Sequence, residues 1–157
     1  MKKVLLSFIV FTAISLSVLA DDKQEALQFF NNYVKAANTY STTIPDMYSP
    51  SAKIIRQVVK PDGTTQDVQT NTSTYITQMK LGQAGAKIRH YTKTYTNVSV
   101  TPISNGKYKI SSLRQPSGES YKLKTYMIIQ KQPNGKWLIV EEMMQTKVQT
   151  FLKYAKN

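Results

Sequence analysis

The sequence predicts an α+β fold. Three observations carry that expectation: helical periodicity confined to the first half of the chain, β-branched and aromatic runs filling the second half, and a Gly-bearing turn between successive runs. Across residues 21–38, Ala26, Leu27, Phe29, Phe30, Tyr33, Val34 and Ala37 recur at three- and four-residue steps. This spacing predicts an amphipathic helix, and Asp21, Asp22 and Glu25 suit its N-terminus through the helix dipole. A Ser/Thr-rich link leads to Ile44-Pro45-Asp46-Met47-Tyr48, where Pro45 opens a helix of one or two turns and Ser49-Pro50 ends it. Residues 53–60 are β-branched and apolar, Pro61-Asp62-Gly63 is turn chemistry, and 64–70 alternates, so together they predict a hairpin. Asn71, Thr72 and Ser73 offer caps for a helix over 73–81, with Tyr75, Ile76 and Met79 on one side and Gly82 and Gly85 closing it. Everything from Lys87 onward predicts strand: 88–103, 107–114, 121–131 and 137–148. Ser104-Asn105-Gly106, Pro116-Ser117-Gly118 and Pro133-Asn134-Gly135 reverse the chain between them, so successive strands are expected to pair antiparallel.

The N-terminus predicts export. Met1-Lys2-Lys3 precedes the apolar residues 4–18, and Leu19-Ala20 precedes Asp21-Asp22, the order of a cleaved signal peptide with Val18 and Ala20 at the positions the peptidase reads. Cleavage after Ala20 leaves residues 21–157, a length that suits a single domain with a true hydrophobic core. The destination is periplasmic or secreted, in a bacterial setting. The chain has no cysteine, so neither a disulfide nor a lipidated cysteine is available and packing alone must hold the fold.

Charge points the same way as export, toward anionic company. The whole chain carries 21 Lys and Arg against 9 Asp and Glu, a balance of +12; without Lys2 and Lys3 it is 19 against 9, or +10. Such a field favours anionic lipid or polymer over nucleic acid for an exported protein, although the lysines are scattered rather than blocked.

The order of elements resembles the nuclear transport factor 2-like superfamily, also called ketosteroid isomerase-like or SnoaL-like. The matching pieces are 30–38 (FNNYVKAAN), Asp46-Met47-Tyr48-Ser49, Pro61-Asp62-Gly63 and 134–140 (NGKWLIV). The resemblance implies a cone: a curved antiparallel sheet packed by about three N-terminal helices around an apolar pocket. In the isomerase branch it also implies an oxyanion-binding tyrosine, which falls on Tyr33 within Tyr33-Val34-Lys35-Ala36. The general base of that branch falls on Arg56, which cannot abstract a proton, and its second oxyanion donor falls in the apolar stretch 126–129. Isomerisation of the ketosteroid type is therefore not expected.

Residue chemistry narrows the remaining choices. A single histidine and no cysteine argue against a zinc or copper site, and no metal or other cofactor is expected. Glu141 and Glu142 are adjacent on one strand, so they face opposite sides; whichever faces the interior would find Arg56 as a partner. Arg89, Tyr91, Lys93 and Tyr95 share one face of an expected strand, read as a solvent face.

The function this predicts is non-catalytic binding of a small apolar or amphipathic ligand, an anionic one included. The expected lining is Phe30, Tyr33, Tyr48, Ile54, Arg56, Tyr75, Met79, Ile128 and Trp137. Two alternatives stand beside it. One is a hydratase, dehydratase or isomerase using His90, Asp46 and Tyr33; the other is an envelope interaction module, as a monomer or a homodimer, acting through its exposed sheet.

Overall fold

The computed structural model describes residues 2–104 and 106–155, with side chains from residue 20 onward. Helix α1 (Lys2–Asn38) is followed by a short 3₁₀ turn (Ile44–Met47), strands β1 (Tyr48–Val59) and β2 (Thr65–Thr70), and helix α2 (Thr72–Ile88). Then come β3 (Lys93–Ser104), β4 (Lys107–Pro116), β5 (Leu123–Lys131), β6 (Trp137–Thr146) and a second 3₁₀ segment (Gln149–Tyr154). One open sheet of six strands runs in the order β2-β1-β6-β5-β4-β3. The strands joined directly by turns, β1 with β2 and each successive pair from β3 to β6, are antiparallel, as the turns predict, while β1 and β6 meet in parallel at the centre and β2 and β3 form the two edges. The fold is α+β, with α1, α2 and the first 3₁₀ turn gathered over one face.

That face is apolar because alternate residues of each strand point to it. Ile54, Ile110, Tyr108, Met127, Ile129 and Ile139 are all within 5 % of full burial, packed under Ala26, Phe30 and Tyr33 of α1. Phe30 meets Tyr95 edge-on, ring centres 5.4 Å apart, tying α1 to β3. Register decides which residue of a pair faces inward. Because Tyr108 pairs with Ile129 and Ile110 with Met127, the odd residues of β5 enter the core and Ile128 lies on the opposite face. Ile128 is therefore no part of an interior lining.

A bulge in β6 does the same for its carboxylates. Ile128 pairs with Glu141 but Ile129 pairs with Ile139, so Val140 is the extra residue. The inward phase is Trp137 and Ile139 before the bulge and Glu142 and Met144 after it. Glu141 stays outside and accepts a hydrogen bond from Tyr126 Oη at 2.6 Å.

Helix ends differ from expectation for a local reason. Helix α2 runs through Gly82 and Gly85 to Ile88, seven residues past the expected end, because neither glycine takes a positive φ. His90 does, at +50°, and the Tyr91 amide bonds back to the Ala86 carbonyl while the His90 amide bonds to Lys87. This is a Schellman end with His90 where glycine is usual. Helix α1 ends the same way, with Tyr40 at +55° and Ser41 donating to Ala36. Residues 88–92 consequently belong to the end of α2 and its loop, and β3 begins only at Lys93. Asp22 and Glu25 lie inside α1 rather than at its start, and both reach Lys131 Nζ at 2.8 Å. The expected leader, residues 1–20, falls almost wholly on side chains outside the described set.

Candidate functional site

The inner face of the sheet carries a buried polar cluster with more cations than anions. Glu142, 2 % exposed, accepts from Tyr48 Oη at 2.7 Å and from Tyr33 Oη at 3.1 Å, the two hydroxyls themselves 3.4 Å apart. Tyr33 comes from α1, Tyr48 opens β1 and Glu142 is aimed inward by the β6 bulge, so three separate elements converge on one carboxylate. Burial, then the Glu142 charge, holds the Tyr33 and Tyr48 hydroxyls well above their ordinary pKa, so both remain donors at neutral pH.

Arg56 stands on β1, two residue pairs along from Glu142 and so on the same face, with its guanidinium carbon 4.6 Å from the centre of the Tyr75 ring. Burial opposes its charge, but Tyr75 and Glu142 more than offset that and raise its pKa. Among the described residues, ion pairs within 4.0 Å join only Lys131 to Asp22 and Glu25, so the expected Arg56–Glu142 partnership is one of proximity, with Tyr75 as the direct contact. Arg114 adds a third buried charge: one guanidinium nitrogen donates to the Gln145 carbonyl at 2.7 Å, while its Nε has no acceptor. A nitrogen of Arg56 and the Ser112 hydroxyl are likewise buried without partners among the described residues.

Beside the cluster lies a cavity of about 150 Å³ between α1, α2 and the start of β3. Its wall includes Tyr33, Ile44, Tyr75, Met79, Tyr91 and Lys93. Asn38 clamps the main chain of Lys93 from both sides, donating to its carbonyl and accepting from its amide, each at 2.9 Å, which fixes β3 against the end of α1. The Lys93 ammonium has no hydrogen bond or ion pair among the described residues, and it lies over the Tyr91 ring, 5.8 Å from its centre. Burial, then the Arg114 charge, pushes its pKa down to about 8.

Expected lining residues thus divide among several places. Tyr33, Tyr75 and Met79 line the cavity; Tyr48 and Arg56 belong to the polar cluster behind it; Phe30 and Ile54 are solid core. Trp137 lies at a separate, open cleft of about 650 Å³ with Phe29, Asp46 and Met47, and its indole N–H donates to Glu25 at 2.9 Å. His90 is exposed at the end of α2, lines neither space, and does not meet Asp46. The constellation of His90, Asp46 and Tyr33 is therefore not assembled. Among the described residues no group of three or more His, Asp or Glu is placed to hold a metal ion.

Lys93 and Tyr95 were expected on a solvent face and instead point inward, Tyr95 against Phe30 and Lys93 into the cavity wall. The signal was present in the alternation of Lys93 and Tyr95 with Thr94 and Thr96. It could not be phased without knowing that His90 ends a helix.

No family model matches the sequence, and no curated protein matches it. Solved structures do match. A domain with a cystatin-like fold from Nostoc punctiforme is 14 % identical and aligns over 85 % of this chain and 84 % of its own, with a TM-score of 0.57. A nuclear transport factor 2-like protein of unknown function from Shewanella oneidensis is 11 % identical, covering 81 % and 98 %, with a TM-score of 0.56. A proposed ketosteroid isomerase from Shewanella frigidimarina is 16 % identical, covering 74 % and 91 %, at 0.53. At these identities the likeness concerns architecture, and function has to be argued from the site. With helices gathered on one face of an open six-stranded sheet and these solved structures alongside, the chain has the nuclear transport factor 2-like fold.

Proposed function

We propose that this chain is an exported binding protein whose cavity holds a single ring bearing an anionic group, such as an aromatic carboxylate. The observation that carries the reading is charge imbalance: Lys93, Arg56 and Arg114 face the interior against Glu142, and among the described residues Lys93 stands at the cavity wall without an ion-pair partner. An uncompensated ammonium in an aromatic-walled cavity is costly, and a ligand anion removes that cost. Size supports one ring, since a cavity of about 150 Å³ is of the order that accommodates benzene. Residues 1–20 supply the export part of the reading, with a periplasmic or extracellular destination. Among the described residues no helix is long and apolar enough to cross a membrane. The separation of His90 from Asp46 and from the cavity weighs against the hydratase alternative.

Calorimetric titration of residues 21–157 with benzoate and with benzyl alcohol tests the reading. Benzoate is expected to bind at least about tenfold more tightly, the worth of one charge-assisted contact, and Lys93→Met is expected to remove the difference. Equal affinity for the two ligands, or an unchanged preference in Lys93→Met, would overturn it.

A further inference from the structure

We infer that Lys93 is a carbonyl-capturing lysine, whose amine at the cavity wall condenses with the aldehyde of a ring-sized ligand to form an imine. The inference rests on the same cavity as the binding reading and assigns that cavity a covalent chemistry.

Geometry is the first support. A nucleophilic lysine must present its amine to a space that admits the substrate and must not be engaged by a carboxylate. Lys93 lines the cavity, which opens to solvent and so admits a ligand, and its amine forms no hydrogen bond or ion pair among the described residues. Its main chain is held at both polar atoms by Asn38, which fixes where the side chain originates. The apolar walls, Ile44 and Met79, leave room for a ring beside it.

Electrostatics is the second support. The charged groups that influence Lys93 are Arg114 on β4, Arg56 on β1 and Glu142 on β6. Tyr33 of α1, Tyr75 of α2 and Tyr91 of the connecting loop share the cavity wall, and Tyr95 follows on the same strand face. Burial and the two cations among these groups, Arg114 and Arg56, favour the neutral amine, and the single carboxylate opposes it. With a pKa of about 8, the neutral fraction at pH 7 is roughly 300-fold that of an ordinary lysine. The same residue therefore alternates between two roles: as ammonium it attracts an anion, and as amine it attacks a carbonyl.

The step balances without an oxidant or reductant. The nitrogen lone pair forms the C–N bond, the carbonyl oxygen collects the two amine protons as the C–O bond breaks, and water leaves. The imine carbon stays at the aldehyde oxidation level.

The test is reductive trapping on native residues 21–157 with 4-hydroxybenzaldehyde and cyanoborohydride, followed by peptide mapping. Lys93 is expected to be labelled at least about tenfold faster than exposed lysines such as Lys80 and Lys136, with its rate rising through a midpoint near its pKa of about 8. Labelling of Lys93 no faster than those surface lysines would overturn the inference. This readout uses the unsubstituted chain, so it does not depend on a variant folding. Benzoate separates the two proposals. If benzoate binds but Lys93 is not selectively trapped, the imine fails and the anion reading stands. If Lys93 is selectively trapped and benzoate neither binds nor slows trapping, the anion reading fails and the imine stands.

Discussion

Replacing Tyr48 with Phe removes one hydroxyl and leaves the ring in place against Tyr75, whose centre is 5.5 Å away. No cavity forms beyond the volume of an oxygen, so the cost is electrostatic. The lost bond is a 2.7 Å contact from a neutral donor to a carboxylate that is 2 % exposed. Bonds of that class contribute about 1.5–3 kcal/mol. Tyr33→Phe loses a longer bond, 3.1 Å, together with the acceptor 3.4 Å from Tyr48, and is expected to cost about 1–2 kcal/mol. With both hydroxyls gone, Glu142 is left without either tyrosine donor, so the double substitution should exceed the sum of the singles by about 1 kcal/mol. Urea unfolding, followed through the fluorescence of Trp137, the chain's single tryptophan, reads these values. With a slope of about 2 kcal/mol per molar urea, Tyr48→Phe should lower the midpoint by about 1 M without changing the slope. A fall of less than about 0.25 M, or strict additivity in the double variant, would refute the claim that the two tyrosines jointly sustain the buried carboxylate.

Other outcomes follow from the same geometry. Lys93 has a folded pKa of about 8 against 10.5 free, so its cost to stability is complete below pH 8 and fades as pH rises from 8 toward 10.5. Lys93→Met should therefore stabilise residues 21–157 by on the order of 2 kcal/mol at pH 7 and by nothing near pH 10.5, read as urea midpoints across pH; an advantage independent of pH would contradict this. Tyr33, Tyr48 and Tyr75 titrate above their free value of 10 because of burial and then Glu142, so their contribution is intact below pH 10 and is lost as pH climbs beyond it. Far-ultraviolet dichroism should show alkaline unfolding above pH 10 at a lower pH in the Arg56→Met variant. His90→Gly relieves a residue held at φ +50° and should raise thermal stability by about 1 kcal/mol with benzoate affinity unchanged. Loss of binding in that variant would return His90 to the site. N-terminal sequencing of protein recovered from the periplasm or medium should begin at Asp21; Met1 would remove the export reading.

Much of the architecture was legible because turns and periodicity act locally. Pro61-Asp62-Gly63 makes the β1–β2 hairpin, with Gly63 at φ +84° and its amide bonded to the Lys60 carbonyl. Gly106, Gly118 and Gly135 adopt the positive φ expected of their turns. What escaped depends on context the sequence does not mark. Gly82 and Gly85 look like stops yet sit in regular helix, since a glycine ends a helix only where the chain takes the left-handed conformation that His90 supplies. That displaced the start of β3 and hid Lys93. In β6, strict alternation from Trp137 and Ile139 puts Glu141 inside; only the bulge at Val140 reverses it and buries Glu142. The parallel meeting of β1 with β6 and the closing 3₁₀ segment over β1 and β2 are tertiary choices with no local signature. Of the site, Tyr33 and Tyr75 were readable from helical spacing, Arg56 from the resemblance, and Lys93 from neither.

The central claim is that the cavity beside Lys93 receives an anionic ring. A crystal of residues 21–157 soaked with 4-bromobenzoate tests it through the anomalous signal of bromine. The account predicts bromine among Ile44, Tyr75 and Met79 with the carboxylate turned to the Lys93 amine. Bromine found only in the open cleft at Trp137, or in no fixed place, would contradict it.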